Sequence, residues 1–339
     1  MTKLRVAVLG YGYWGPKLVR NLYNNQFCEL VAVADQDPKR VAGVSRMYPT
    51  VDPCDDAIKL IDRPDIDAVV VATPPSTHFA LAKCALEKGK HVLVEKPLTE
   101  TSADAAELVK LAEEKGLTLM VDHTFIYAGA VRKIRELIDS GDLGKVLYID
   151  SVRINLGIFQ SDVNVIEDLA PHDISIVDYL LDAKPKSASA IGIAPVSYQG
   201  KTPGSLVYAA IRFDSGPLAH FHLSWLSPVK IRKMLIGGSK KTVVYDHLEP
   251  DNQIMVYENG GDLAEEGERR RLLGEMRMGD LYVPKVDQVE PLEEVCRHFV
   301  ECCIEGKPPI TDGKAGLRVV KILEALGHSM EQEGAVIPL

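Results

Sequence analysis

The sequence lacks long hydrophobic runs. Nowhere in its 339 residues is there a stretch of about 18 uninterrupted apolar residues, which a membrane span needs. The first residues, MTKLRVAVLGYGYWG, also lack the apolar region and the small-residue cleavage site of a signal peptide. We therefore expect no membrane association and a cytoplasmic location.

Metal-binding patterns are absent too. The six cysteines form no C-x-x-C pair and do not group with histidines at zinc-ligand spacing: Cys28, Cys54, Cys84, Cys296, Cys302 and Cys303. His220 and His222 alternate in an apparent strand, but two histidines do not make a metal site. We expect buried reduced thiols and no bound metal.

Basic charge is scarce, because 39 Lys and Arg stand against 48 Asp and Glu, giving a net charge of −9. Phosphate contacts need a basic surface, so nothing indicates a nucleic-acid partner. The composition is that of an ordinary globular protein, with 46% hydrophobic and 26% charged residues. A chain of 339 residues is long enough for two domains.

Residues 1–123 have the pattern of a Rossmann domain. Near-continuous apolar runs alternate with amphipathic stretches, which predicts an α/β fold with a doubly wound parallel sheet covered on both faces. The predicted strands are 4–9, 29–34, 68–73, 91–96 and 118–123.

Residues 124–339 predict a second, α+β domain for substrate binding and oligomerisation. A helix is followed by runs with period-two alternation, which indicates a large, mostly antiparallel sheet with one open face. Residues 250–290, with the charge run EEGERRR, are expected to be irregular and solvated. Residues 291–304 and 313–330 are expected to form closing helices.

A glycine motif follows the first strand and precedes a helix. In this context G-x-G-x-x-G allows a tight turn, close approach of a pyrophosphate and close helix packing, and it predicts dinucleotide binding by Gly10, Gly12, Tyr13, Trp14 and Gly15. Asp35 ends the second strand, where a carboxylate accepts from a ribose hydroxyl and repels a 2′-phosphate. We therefore expect a preference for NAD(H). Arg40 is either a surface residue or a contact to the adenine or a phosphate, so binding of NADP(H) stays open.

Ligands of open parallel sheets bind beyond the carboxyl ends of the strands. Further cofactor contacts are therefore predicted there: Thr73, Pro74, His78, Glu95 and Lys96. His78 is equally well read as a helix-start residue. Lys96 precedes a proline and would place an ammonium where it stabilises a developing alkoxide, unless it is only a surface lysine paired with Glu95.

A second group of chemically active residues lies in EDLAPHD, at 167–173. Pro171 suits the first turn of a helix, and a helical segment brings Asp168 and His172 onto one side. Histidine carries protons near neutral pH, and a carboxylate can orient it. The competing interpretation is a helix cap at Asp168 and a structural His172.

These motifs together resemble the Gfo/Idh/MocA family, named for glucose-fructose oxidoreductase, inositol dehydrogenase and rhizopine catabolism proteins. The resemblance covers essentially the whole chain and rests on VAVLGYGYWG, VADQDPKR, VATPPSTH, VLVEKPL and DLAPHDIS, in that order. It implies catalytic roles for Lys96, Asp168 and His172, a cis bond between Lys96 and Pro97, and a C-terminal sheet that forms a homodimer or homotetramer.

Within the family, HTFIY, FQSDVNV, DLAPHDIS and HLSWLSP most resemble members that act on C3 of UDP- or dTDP-linked sugars. The chain departs from them at Glu167, where related members commonly have tryptophan. As a hypothesis, residues near the last Rossmann strand or leading to His172 contact the substrate, namely His123, Tyr127, Asn155 and Asn164.

The mechanism that we expect is hydride transfer between the cofactor and a sugar hydroxyl or ketone. His172, oriented by Asp168, exchanges the hydroxyl proton, and Lys96 stabilises the alkoxide. The sequence leaves open which of Lys96 and His172 is the formal base. Two alternatives also stay open, a dehydrogenase of free polyols of the inositol type and a noncatalytic NAD-binding regulator.

Overall fold

The computed structural model describes residues 3–157, 164–197, 202–259 and 279–339. The chain divides into two compact units, Met1–Tyr127 with Val289–Lys321 and Ala128–Gln288 with Ile322–Leu339. In the described part of the chain, no helix is long and apolar enough to cross a membrane. No cluster of three or more metal-ligating side chains occurs there either.

The first unit contains the predicted parallel sheet. Its strands are β1 (Leu4–Leu9), β2 (Cys28–Ala34), β3 (Asp52–Cys54), β4 (Ala68–Val71), β5 (His91–Glu95) and β6 (Leu119–Asp122). They are ordered β3-β2-β1-β4-β5-β6, and every neighbouring pair is parallel. The predicted α/β Rossmann fold is thereby confirmed.

Helices connect these strands, as the periodicity predicted. They are α1 (Gly15–Asn24), α2 (Pro38–Met47), α3 (Ala57–Ile61), α4 (His78–Glu87) and α5 (Ser102–Lys115). Side chains cap several of them, since Asp37 accepts from the Lys39 amide and Thr101 from the Asp104 amide. Helix α5 ends at Gly116, whose φ of 64° is the left-handed conformation that glycine adopts without strain.

The second unit is built on the predicted large, mostly antiparallel sheet. Its helices are α6 (Gly129–Asp139) and α7 (Val165–Leu181), and its strands are β7 (Val146–Leu156), β8 (Pro185–Ile193), β9 (Leu206–Phe213), β10 (Leu218–Ser224), β11 (Leu226–Gly238), β12 (Lys241–Asp246), β13 (Ile254–Glu258), β14 (Leu281–Tyr282) and β15 (Ile337–Pro338). The order is β14-β13-β12-β11-β7-β10-β9-β8-β15, and only β7 and β10 pair in parallel among these described strands.

Two details of the second unit differ from the sequence-based expectations. Strands β13 and β14 lie within 250–290, so the prediction of an irregular segment was wrong there, because their apolar residues pair with the sheet edge. The run EEGERRR and residues 159–163 of FQSDVNV lie outside the described residues.

The last helices are α8 (Pro291–Glu305) and α9 (Gly313–Glu331), close to the expected bounds. Their placement differs from the expected division at 123/124, because residues 289–321 belong to the first unit. Helix α8 packs against α1 and the turn at 124–127. It buries an apolar face there, including Val295 and Phe299, which explains why this late segment joins the early one.

Candidate active site

The glycine turn between β1 and α1 has the geometry that the motif requires. Gly10 has a φ of +100°, and a Cβ there would lie 2.5 Å from the carbonyl oxygen of Ala72. A Cβ at Gly15 would collide with the carbonyl oxygen of Gly10. At Gly12, by contrast, the nearest atom to an added Cβ is Arg40 Nη1, at 3.7 Å, so space is open above the turn.

The beginning of α1 supplies backbone donors for a phosphate. Trp14 occupies the N-cap position without a side-chain cap, and the first turn has no acidic residue. Amide N–H groups at such a terminus favour anions. Tyr13 and Trp14 are exposed, and the Lys17 ammonium lies 3.9 and 3.8 Å from their ring centroids. Open space, free amides and nearby cations all fit a dinucleotide pyrophosphate.

Asp35 is fixed at the end of β2. Its carboxylate accepts hydrogen bonds from the backbone N–H groups of Tyr11, at 2.7 Å, and Asp37, at 2.8 Å. Arg40 pairs with Asp35 at 3.4 Å and with Asp37 at 3.6 Å. Because two carboxylates offset its single charge, Arg40 offers less attraction to a 2′-phosphate than a free arginine would.

His78 is completely buried and joins the loops that follow β4 and β5. Its Nδ1 lies 2.8 Å from the carbonyl oxygen of Pro97, and its Nε2 lies 2.9 Å from that of Thr73. Burial lowers the pKa of His78, while the two carbonyls act in the opposite direction. His78 therefore links the backbone at Thr73 to the backbone at Pro97, and the Lys96–Pro97 bond is cis, as the resemblance implies.

Two acidic side chains meet at the ends of β5 and β6. Glu95 and Asp122 are register partners in the sheet and are 8% and 2% exposed, and one oxygen of each, Glu95 Oε1 and Asp122 Oδ2, has no hydrogen-bond partner among the described residues. Burial, with the Asp122 charge as the next cause, raises the pKa of Glu95 well above its usual value. Burial raises the pKa of Asp122 to about 6, although the Thr124 hydroxyl donates a hydrogen bond to it. The nearby Lys96 ammonium favours the ionised form of both acids.

Two predicted substrate contacts, His123 and Tyr127, are buried within the first unit. His123 is 1% exposed, and burial, assisted by the Lys96 charge, lowers its pKa to about 3. The hydroxyl of Tyr127 lies 3.1 Å from that of Thr311, which in turn donates to the carbonyl of Val121. Because its pKa is lowered to about 3, His123 is neutral at physiological pH.

Asp168 and His172 lie one turn apart on α7, as predicted. The indole Nε1 of Trp225 donates to Asp168 Oδ2 at 3.0 Å. Trp225 is fully buried, and a Cβ on Gly157 would collide with its ring. The packing at the end of β7 thus fixes the carboxylate that lies beside His172.

The prediction that Pro171 lies in the first turn was wrong, because α7 begins six residues earlier, at Val165. Asn164 Oδ1 accepts from the amides of Ile166 and Glu167, and Glu167 Oε2 accepts from the Asn164 amide. This capping box sets the start of the helix, so Pro171 is interior. Asn164 and Glu167 therefore have a structural task, and the predicted contact Asn155 is half-buried near the end of β7.

A buried ion pair lies beside these residues. Asp173 accepts from Arg153 Nε at 2.9 Å and from the Ser151 hydroxyl at 2.9 Å. Both charged side chains are at most 5% exposed. Asp173 therefore anchors α7 to β7, whereas Asp168 and His172 keep partial exposure.

Sequence reasoning did not select Asp122, Arg153 or Trp225 as site residues. Asp122 could have been identified from adjacent apolar strands that both end in an acid, and Trp225 from the single tryptophan in HLSWLSP, whereas no sequence signal singles out Arg153. The structure groups Glu95, Lys96, Asp122 and His123 in the first unit. Asp168 and His172 belong to the second unit.

The fold and site define an oxidoreductase with a Rossmann domain, and two family matches agree. The Gfo/Idh/MocA oxidoreductase family, with an NAD-binding Rossmann fold, matches residues 4–123, and the Gfo/Idh/MocA C-terminal domain matches residues 131–244. The chain therefore belongs to the Gfo/Idh/MocA family and is a dehydrogenase or reductase that acts on CH–OH groups.

Individual relatives span nearly the whole chain. A UDP-N-acetylglucosamine 3-dehydrogenase from Acidithiobacillus ferrooxidans is 27% identical over 94% of this chain and 95% of its own length. A scyllo-inositol 2-dehydrogenase (NAD(+)) from Bacillus subtilis is 29% identical over 91% of this chain and 88% of its own. The solved structure of the Acidithiobacillus enzyme, GnnA, has the same fold, with a TM-score of 0.82 at 24% identity over 98% and 99% of the two chains.

The open space above Gly12 generates a prediction. Gly12→Ala should fold normally, yet raise the dissociation constant for NADH at least about tenfold, because its methyl group takes the space of the pyrophosphate. Gly43→Ala, in α2, is the matched control, since a Cβ there meets nothing within 4 Å. Titration of NADH fluorescence measures both. Equal affinity in the two variants would show that the dinucleotide binds elsewhere.

Proposed function

We propose that the protein is an NAD(H)-dependent oxidoreductase that transfers a hydride between the cofactor and C3 of a UDP- or dTDP-linked sugar. The observation that carries the proposal is the Asp168–His172 pair on one face of α7, with Asp168 held by Trp225. The full-length similarity to a UDP-N-acetylglucosamine 3-dehydrogenase supports the substrate class.

Each catalytic residue has a distinct task in this proposal. His172 takes the proton of the sugar hydroxyl during oxidation and returns it during reduction, because an imidazole exchanges protons near neutral pH. Asp168 orients the ring and balances its charge. Lys96 stabilises negative charge on the reacting oxygen. Bound NAD supplies the hydride acceptor, and NADH the donor.

The cofactor assignment rests on the turn and strand ends of the first unit. We propose that the predicted set binds or positions the dinucleotide: Gly10, Gly12, Tyr13, Trp14, Gly15, Asp35, Arg40, Thr73, Pro74, His78, Glu95 and Lys96. A preference for NAD(H) follows from Asp35, whose carboxylate is fixed by two backbone amides. The positive charge of Arg40 is offset by Asp35 and Asp37.

Asp35→Asn should weaken this preference. The substitution keeps an oxygen that accepts hydrogen bonds but removes the charge that repels a 2′-phosphate, so the ratio of kcat/KM for NAD+ over NADP+ should fall about tenfold. Glu29→Gln is the control, because Glu29 is exposed at the opposite end of the same strand. An unchanged ratio in Asp35→Asn would contradict the assignment.

A second substrate class is supported by one specific observation. The scyllo-inositol 2-dehydrogenase relative covers 91% of this chain at 29% identity, which makes a free polyol the alternative substrate. Of the residues proposed for the sugar site in either case, Asn155, Asn164 and His172 are partly exposed and can contact the sugar directly. His123 and Tyr127 are buried and would support the site indirectly.

One assay separates the two classes. The protein is incubated with NAD+ and with separate panels of UDP-sugars, dTDP-sugars and free polyols, and the absorbance of reduced nicotinamide is followed. We expect turnover with a nucleotide sugar, whereas turnover confined to free polyols would move the protein to the inositol type. Lys96→Ala should lower kcat by about 100-fold and still bind NADH, because the other residues of the cofactor set remain.

Lys110→Ala is the matched control for that variant, because Lys110 is exposed on α5 and pairs only with an exposed glutamate among the described residues. It should leave kcat unchanged. Bound NADH without turnover on any panel in either direction would favour a regulatory protein.

We further propose that the open face of the second sheet forms a homodimer or homotetramer. Its outward side chains include a cross-strand row of Ile191, Tyr208, His222 and Val152, and the Tyr208 ring stacks on His222 with centroids 4.6 Å apart. Ile191 and Tyr208 are 57% and 42% exposed in the single chain. Contiguous exposed apolar groups of this kind are typical of protein interfaces.

Tyr208→Lys should therefore shift the protein toward monomers in analytical ultracentrifugation, because the new charge would be buried at the interface. Ile58→Lys introduces the same charge at an exposed site on α3 and should leave the assembly intact. A monomeric wild-type protein at micromolar concentration would refute the interface.

A further inference from the structure

The acid pair at the ends of β5 and β6 holds a proton in an unusual place. Glu95 Oε2 accepts from the Lys96 amide at 3.2 Å, and Asp122 Oδ1 accepts from the Thr124 hydroxyl at 2.7 Å. The other two oxygens, Glu95 Oε1 and Asp122 Oδ2, are buried and receive no N–H or hydroxyl hydrogen bond from the described residues. Glu95 and Asp122 are register partners on neighbouring strands and both are buried, so a proton on one carboxyl supplies the donor that these two oxygens lack.

The groups that face this pair leave few charges nearby. Lys96 follows β5 and acts on both acids as a cation. His123 follows β6 and is neutral, because its pKa is about 3. Cys296, on α8, is a buried thiol whose pKa is raised well above its usual value, so it is neutral as well. Thr124 contributes a neutral hydroxyl.

The charge carried by Glu95 and Asp122 decides whether the positive charge of Lys96 is balanced. Two ionised carboxylates on neighbouring strands repel each other strongly in a buried site. Two protonated acids would leave the half-buried Lys96 ammonium without this counter-charge. One proton and one negative charge avoid both penalties.

We propose that Glu95 and Asp122 are positioning residues for Lys96. Glu95 carries the shared proton, and the single negative charge on Asp122 holds the Lys96 ammonium in place for catalysis. This inference rests on the proposed function for the role of Lys96. The proton shared by the pair does not depend on that role and can be measured without substrate.

Two isosteric variants fix the protonation of Glu95 and of Asp122 separately. Glu95→Gln imitates the protonated acid, since its amide donates to Asp122 and the negative charge remains. Asp122→Asn keeps the shape and an oxygen that accepts from Glu95, but removes the charge. We therefore expect a kcat loss of about threefold in Glu95→Gln and at least about thirtyfold in Asp122→Asn, with KM changed less than kcat in both. A purely structural role would give similar losses in kcat.

Infrared spectroscopy reads the proton directly on the intact protein. At neutral pH the wild type should show the C=O stretch of a protonated carboxylic acid, which Glu95→Gln should lose and Asp122→Asn should keep. Because the pKa of Asp122 is raised to about 6, a second such band should grow in the wild type as the pH falls through that value. The step should be absent from Asp122→Asn, which separates it from the titration of exposed carboxylates at lower pH.

Asp67→Asn is the matched control. Asp67 is a half-buried carboxylate of the same unit that accepts from Arg5 Nη2 at 2.7 Å. Its loss should lower the thermal unfolding midpoint without changing kcat or the acid band. Absence of the band in the wild type at neutral pH would overturn the shared proton. Equal kcat losses in Glu95→Gln and Asp122→Asn, with the band pattern as expected, would overturn the positioning role alone. Absence of turnover in the wild type would count against the proposed function, whereas the band would still test the pair.

Discussion

Burial at the carboxyl edge of the parallel sheet is the constraint on which the rest of the site depends. The central residues of each strand are apolar, so polar groups lie near the strand ends, and Glu95 and Asp122 at the carboxyl edge are still shielded from water. Each buried group then needs a partner. Asp35 accepts from the Tyr11 amide, His78 meets the carbonyls of Thr73 and Pro97, and Glu95 meets Asp122.

The same constraint explains which features could be predicted from sequence. Strand positions, the glycine turn and the acid at Asp35 follow from local patterns, because a buried parallel strand requires a continuous apolar run. Asp168 and His172 could be placed on one side from their spacing of four residues. Their residue chemistry indicated a proton carrier and a carboxylate that orients it, with a helix cap as the competing interpretation, and the resemblance favoured the catalytic roles.

Features that depend on distant partners could not be predicted. Pro171 indicated a helix start, but the capping box of Asn164 and Glu167 outweighs it and begins α7 at Val165. Strand β13 has few residues and belongs to the sheet only because it pairs with β12. Helix α8 belongs to the first unit because its apolar face packs against α1. These two helices lie far apart in the sequence, so local patterns do not predict their contact.

The charge state of the first-unit site is likewise a property of the environment. Burial disfavours whichever form of a group is charged, so it raises the pKa of the acids and lowers that of the histidine. Glu95 and His123 both become neutral, although one is an acid and the other a base. Asp122 stays ionised at neutral pH because Thr124, Glu95 and the Lys96 charge favour its carboxylate. A sequence shows three ionisable residues here, and only the fold reduces them to a single negative charge beside Lys96.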